Sequence, residues 1–130
     1  MSRLWQIVDE PLGVRTHLIT LRGMIDVDVA RELERRVRDL AMAGKRTIVV
    51  DLTALEEFTP SLLGALIRAQ RSLSWRNGRM PLVCDSSHVR QRLTFVGLPH
   101  LFDLVDEGEL ARLRSSLADS RSAGEGAGRG

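Results

Sequence analysis

The segment Thr47-Ile48-Val49-Val50-Asp51-Leu52 constrains this chain more than any other. It is short, β-branched at four successive positions and apolar at both alternating sets, the pattern of a strand buried on both faces. Such a strand belongs at the centre of a sheet and needs covering layers above and below.

The flanking segments supply them. Val29, Leu33, Val37, Leu40 and Ala41 recur at helical spacing, with Asp28 placed to cap the first amides and Gly44 to end the helix. A second helix is predicted from Thr59-Pro60 to about Trp75, with Leu63, Leu66, Ile67 and Leu73 inward and Asn77-Gly78 closing it. Upstream, Leu4 to Val8 and Val14 to Leu21 read as strands. Asp9-Glu10-Pro11-Leu12-Gly13 separates them as a turn, so the two should pair antiparallel before Gly23 breaks the second.

Downstream, Met80 to Cys84 reads as a strand, and Asp85-Ser86-Ser87 caps a third helix with Val89 and Leu93 inward. Gly97-Leu98-Pro99, a short apolar run from Leu101 to Val105, and a helix with Leu110, Leu113 and Leu117 on one face complete the pattern. The order β-β-α-β-α-β-α-β-α specifies an α/β fold, a mixed four- to five-stranded sheet with about four helices. Residues 1–117 form the expected domain, and the Gly/Ser/Ala/Arg-rich residues 118–130 an expected disordered tail.

Composition narrows the function. The 130 residues are 43% hydrophobic and 28% charged, enough to bury a core without metals or disulfides. Cys84 stands alone and can form no intramolecular disulfide, which suits a reducing cytoplasm. No run reaches the roughly 20 apolar residues of a membrane span, and no signal-peptide core follows Met1. A net charge of +2 with 4% aromatics and no tyrosine gives neither the basic footprint nor the stacking platform of a nucleic-acid binder. Arg68, Arg71, Arg76 and Arg79 cluster around the second helix as a solvated or partner-facing surface. His17, His88 and His100 share no ligand spacing, Asp26 and Asp28 lack a third ligand, and no phosphate-binding loop or nucleophile elbow occurs. Neither enzyme, cofactor nor metal is expected. Asp51 reads as a structural carboxylate, and Cys84 as a small core residue.

Four segments resemble the STAS family, the fold of anti-sigma factor antagonists. They are Leu21-Arg22-Gly23-Met24-Ile25-Asp26, Ile48-Val49-Val50-Asp51-Leu52, Ser61-Leu62-Leu63-Gly64-Ala65-Leu66, and Val89 through Gly97-Leu98. Together they span roughly residues 5 to 115. The resemblance implies regulation by partner switching. An antagonist binds a serine-kinase-type anti-sigma factor and releases a sigma factor, until phosphorylation of a serine at the start of the second helix ends the contact. A phosphate there would meet free amides and the positive end of the helix dipole, while repelling a neutral interface.

This sequence departs from the family switch, which usually reads Asp-Ser-Ser/Ala-Gly. Counted without gaps from Asp51-Leu52, those positions hold Thr59, Pro60, Ser61 and Leu62. Proline has no hydroxyl, and Thr59-Pro60 is a ready helix start. Thr59 or Ser61 remains as a displaced phosphoacceptor. Leu62 in place of glycine is expected to make the binding surface more apolar. The resemblance therefore implies a partner surface of Asp26, Phe58, Thr59, Ser61, Leu62 and Arg68 or Gln70, with Phe58 either core filler or exposed anchor. The expected partner is a kinase-type anti-sigma factor or another STAS protein, bound without the usual phosphorylation switch by a monomer or weak homodimer; nucleic acid and membrane are not expected. Two alternatives stand beside it. One is a scaffold or self-associating STAS subunit of a signalling complex, the other a small-ligand sensor with a nucleotide or lipid pocket beside the second helix.

Overall fold

A computed structural model describes residues 6–84 and 102–115. The helix expected after Asp85-Ser86-Ser87, with Val89, Leu93 and the segment to Gly97-Leu98, lies outside the described residues. So do Leu4, His88, His100, Leu117 and the tail.

The chain runs through β1 (Ile7–Pro11), β2 (Thr16–Met24), α1 (Val27–Met42), β3 (Thr47–Glu57), α2 (Pro60–Ser74), β4 (Pro81–Val83) and β5 (Asp103–Val105), then a helix over 107–115, here α3. The five strands lie side by side in chain order. β1 pairs antiparallel with β2, and every later neighbour is parallel. The fold is thus the mixed α/β arrangement expected. Parallel neighbours need crossovers, and α1 and α2 supply those from β2 to β3 and from β3 to β4 on one face of the sheet. β1 and β5 are the two edges, and β1 ends in the exposed residues Asp9, Glu10 and Pro11.

Alternation along the strands divides the core in two. Ile19, Leu21, Ile48, Val50, Leu52 and Leu82 face α1 and α2, where Leu33, Val37, Leu62, Leu66 and Leu73 meet them. Leu18, Val49 and Val83 face the other way and are covered by Leu110 and Leu113 of α3 with Leu12. β3 contributes to both clusters, as its unbroken apolar run requires. Cys84 is buried in the first.

Several boundaries differ from the sequence reading. β1 runs on through Asp9, Glu10 and Pro11, read as turn, because they pair with Ile19, Leu18 and His17, and β2 starts at Thr16 rather than Val14. β2 continues to Met24, with register shifts against β3 between Thr20 and Arg22 and between Gly23 and Met24. Gly23 has φ +72°, a conformation that costs glycine nothing, so it bends the strand rather than breaking it. β3 likewise runs on to Glu57, because Ala54, Leu55 and Glu57 still pair with that extension. The cap of α1 is Asp26, not Asp28: Asp26 is extended and its Oδ1 accepts from Val29 N at 2.9 Å, while Asp28 sits within the first turn. Gly44, at φ +102°, follows the end of α1 as expected, and Asn77, at φ 59°, turns the chain after α2.

Candidate functional site at the start of α2

The parallel strands β2 and β3 end at one edge of the sheet, and both crossover helices begin there. Two short loops, Ile25-Asp26 after β2 and Phe58-Thr59 after β3, therefore lie side by side. One hydroxyl joins them. Thr59 Oγ1 donates to Ile25 O at 3.1 Å and accepts from Leu62 N at 3.2 Å. The residue is the N-cap of α2, with Pro60 at the first helical position, as the sequence predicts.

Asp26 is exposed beside this junction while its carboxylate caps α1. Ser61 is half-buried one residue past Pro60, which is itself exposed. Asp26, Thr59 and Ser61 are thus brought together. No acidic side chain occupies the first turn of α2, so the positive end of its dipole is not offset from within the helix.

Two residues of the expected partner surface are buried, Phe58 as the core filler that was one of its two readings and Leu62 against expectation. Phe58 is 4% exposed and Leu62 0%, and both belong to the core cluster under α1 and α2. Counting along the switch motif gave Leu62 its position but not its direction. Leu62, Ala65, Leu66, Ala69 and Leu73 form the buried stripe of α2, so the leucine that replaces the family's glycine points inward and adds nothing apolar to the surface. That i, i+3, i+4, i+7, i+11 spacing was present in the sequence. Leu63 and Ile67, expected inward, are only half-buried.

Arg68 is exposed but lies about 12 Å along α2 from Pro60 at the usual helical rise. Its Nε pairs with Glu34 of α1, over Gly64. Gln70 is half-buried, and its Oε1 has no partner among the described residues. Two residues that the sequence reading did not single out flank the junction instead. Met24 and Val27 are both about half exposed, on either side of the inward Ile25. Glu56 and Glu57 continue the same edge, with Glu57 opposite Met24 in register.

The other carboxylates serve the framework. Asp51 Oδ1 accepts from Thr53 N at 2.9 Å and Thr53 Oγ1 at 2.7 Å. His17 is buried, its Nε2 bonded to Asp9 Oδ1 at 2.9 Å, and Asp9 Oδ2 also receives Arg36 at 2.7 Å. Arg36 and Arg35 converge on Glu32, and their hydrogen bonds, Arg35 first, hold its carboxyl below the ordinary value. No group of three or more His, Cys, Asp or Glu side chains among the described residues could hold a metal, and none of the described helices is long and apolar enough to cross a membrane. A cavity of about 270 Å³ opens between the sheet and α3, lined by Thr16, Thr47 and Leu113 among others, on the face away from α2.

A five-stranded mixed sheet with two crossover helices starting at one end of the strands, joined there by a capping hydroxyl, defines a mixed α/β domain. The chain belongs to the STAS family: residues 11–106 match the family model described as the Mlab STAS domain. Among solved structures it is similar to the anti-sigma factor antagonist SpoIIAA in its unphosphorylated form, at 20% identity, covering 83% of this chain and 97% of that one with a TM-score of 0.68. The phosphorylated form of the Bacillus cell fate determinant SpoIIAA matches at 22% identity, 82% and 98% coverage and a TM-score of 0.67. An anti-sigma factor antagonist from Mycobacterium paratuberculosis matches at 22% identity, 83% and 92% coverage and a TM-score of 0.68. The comparison with curated proteins found no match.

Proposed function

We propose that this protein is a regulatory, non-catalytic binding module. It acts as an anti-sigma factor antagonist that binds a serine-kinase-type anti-sigma factor through the edge where α1 and α2 begin, without serine phosphorylation as its switch. The observation that carries the reading is the state of the α2 start. At the position that the family resemblance assigns to the acceptor, Pro60 offers no hydroxyl. The neighbouring Thr59 hydroxyl is committed twice, to Ile25 O and from Leu62 N. A phosphate on Thr59 would forfeit the bond to Ile25 O and set negative charge against that carbonyl. Asp26, Thr59 and Ser61, with Met24 and Val27 beside them, form the contact surface; Phe58 and Leu62 support it from below.

The test uses a purified kinase-type anti-sigma factor from the same organism, with ATP. Wild-type protein should bind it, and mass spectrometry should find no phosphate on Thr59 or Ser61. Pro60→Glu should fold normally, since a first-turn glutamate suits a helix start, yet bind at least about tenfold more weakly by calorimetry. Stoichiometric phosphate on either residue would sink the switch-less reading. Unchanged binding by Pro60→Glu would move the contact surface elsewhere.

A further inference from the structure

The parallel sheet sorts charge by end. β2 and β3 are entered from Arg15 and from Lys45-Arg46, and α2 leaves through Arg76 at the same end. Backbone hydrogen bonds tie these segments into one row: Arg46 N and Thr47 N donate to Arg15 O at 2.8 and 3.0 Å, and Arg79 N to Arg46 O at 2.8 Å. At the opposite end the chain leaves β2 through Asp26 and Asp28, β3 through Glu56-Glu57 and β5 through Asp106-Glu107.

Helix capping explains part of this sorting and not the rest. Asp26 and Asp106 accept from amides at the starts of α1 and α3, and a cation near the end of α2 complements its dipole. Glu56 and Glu57 end a strand, Arg15 lies in a hairpin turn and Arg46 ahead of a strand, where no helix end calls for them, whereas Lys45 follows the end of α1, its N donating to Leu40 O at 3.0 Å. Nor do the dipoles cancel the pattern, since each helix end carries only about half a charge. Arg79 does not enter the sum, because it pairs with Asp103, and neither do Asp9 and Glu10, which antiparallel β1 brings to the basic end, because they pair with Arg36 and Arg114. Arg22 and Arg31 lie below the acidic edge, two residues before Met24 and one turn into α1.

Each end also exposes large apolar side chains. At the basic end Val14 is 89% and Trp75 88% exposed, and Met42 is exposed at the close of α1. At the acidic end they are Met24 and Val27. An exposed tryptophan among arginines is the composition of an interface centre rather than of a bare surface.

We propose that a second copy of this chain occupies each end: the basic end, centred on Trp75 and Val14, docks on the acidic end of the next copy around Met24 and Val27. The two surfaces differ, so the contact is heterologous and leaves a free basic end and a free acidic end on every dimer. A standard contact takes about 800 Å² from each partner, which is about a tenth of the 7709 Å² available here. The open ends make the assembly concentration-dependent, and the opposed charges make it salt-sensitive. If the surface proposed above for an anti-sigma factor is correct, self-assembly and that partner compete for one edge; the self-contact itself does not depend on that reading.

Sedimentation velocity on the full chain, without any partner, tests the proposal. At about 0.1 M salt the mean mass should rise with concentration, and at about 1 M salt it should return to the monomer as screening shortens. The exposed-charge variants Glu56→Lys/Glu57→Lys and Arg15→Glu/Arg76→Glu should each stay monomeric alone, because each lacks one end. Mixed in equal amounts they should associate, since one supplies an intact basic end and the other an intact acidic end. Trp75→Ser, read with circular dichroism as a folding check, should abolish association with no charge changed. A wild-type monomer at every concentration overturns the proposal. So does a dimer that survives in either variant alone, which marks a symmetric contact, or a mixture that stays monomeric. Binding of the basic end to phosphatidylglycerol vesicles without self-association overturns it as well.

Discussion

Thr59 holds two elements with a single oxygen, and its replacement measures both bonds. Thr59→Ala removes the cap of α2 and the tie to Ile25 O and should cost about 1–2 kcal/mol in urea unfolding, while Thr59→Ser, which keeps the hydroxyl, should recover most of it. This residue was legible in advance, because threonine before proline is a helix start on local grounds alone. Leu62 was not, because matching a motif assigns a place in the chain and says nothing of the face on which the side chain falls. Its buried position leads to a second expectation: Leu62→Ala should lose about 2–5 kcal/mol through lost burial and a cavity, against little change for the exposed Pro60→Ala. Of the three substitutions that would rebuild the family's switch motif, at 59, 60 and 62, the last two are therefore unequal. A serine at 60 is tolerated, whereas a glycine at 62 empties the core.

At the scale of elements, α1 is fastened to the hairpin by charge as well as by its apolar stripe. Arg36 bridges Glu32 on its own helix and Asp9 on β1, and Asp9 also meets the buried His17 of β2. Glu32 has its folded pKa depressed below the ordinary 4.5 by Arg35 and then Arg36. A depressed carboxylate contributes stability that is complete above its unfolded pKa and lost as pH falls through the folded one. The stability difference between wild type and Glu32→Gln should therefore be level near neutrality and shrink at pH values below 4.5, read by chemical denaturation across pH. The turn from α2 to β4 gives a steric counterpart. A Cβ at Gly78 would stand 2.8 Å from Arg46 O and 2.9 Å from Leu73 Cδ2, so Gly78→Ala should cost about 1–3 kcal/mol by overpacking. Helix starts and stops were legible at this scale wherever a residue type signals them, as Gly44 and Asn77-Gly78 do. The cap of α1 was not. Asp26 and Asp28 are equally capable caps two residues apart, and the choice falls to the backbone, extended at Asp26 and helical from Val27, which no periodicity announces. The polar end of β3 was missed for the same reason, since Glu56 and Glu57 carry no strand signature of their own.

Over the whole molecule, the doubly apolar β3 was the most informative segment because both of its faces do find cover. The two clusters it joins are unequal: the one under α1 and α2 is large, the one under α3 small. Removing the chain from residue 107 onward should uncover Leu18, Val49 and Val83, lower the unfolding midpoint and raise binding of a hydrophobic dye, while leaving the strand and helix content of residues 7–74 largely in place by circular dichroism. The sheet's two margins matter in another way. On one side β1 offers Asp9, Glu10 and a proline that has no N–H to give; on the other, β5 is only three residues long. Charge, a missing donor and brevity are each poor templates for another strand. Sideways growth of the sheet is thus blocked at the level of sequence, and crowding this protein should thicken the solution without seeding fibrils built by strand-to-strand pairing.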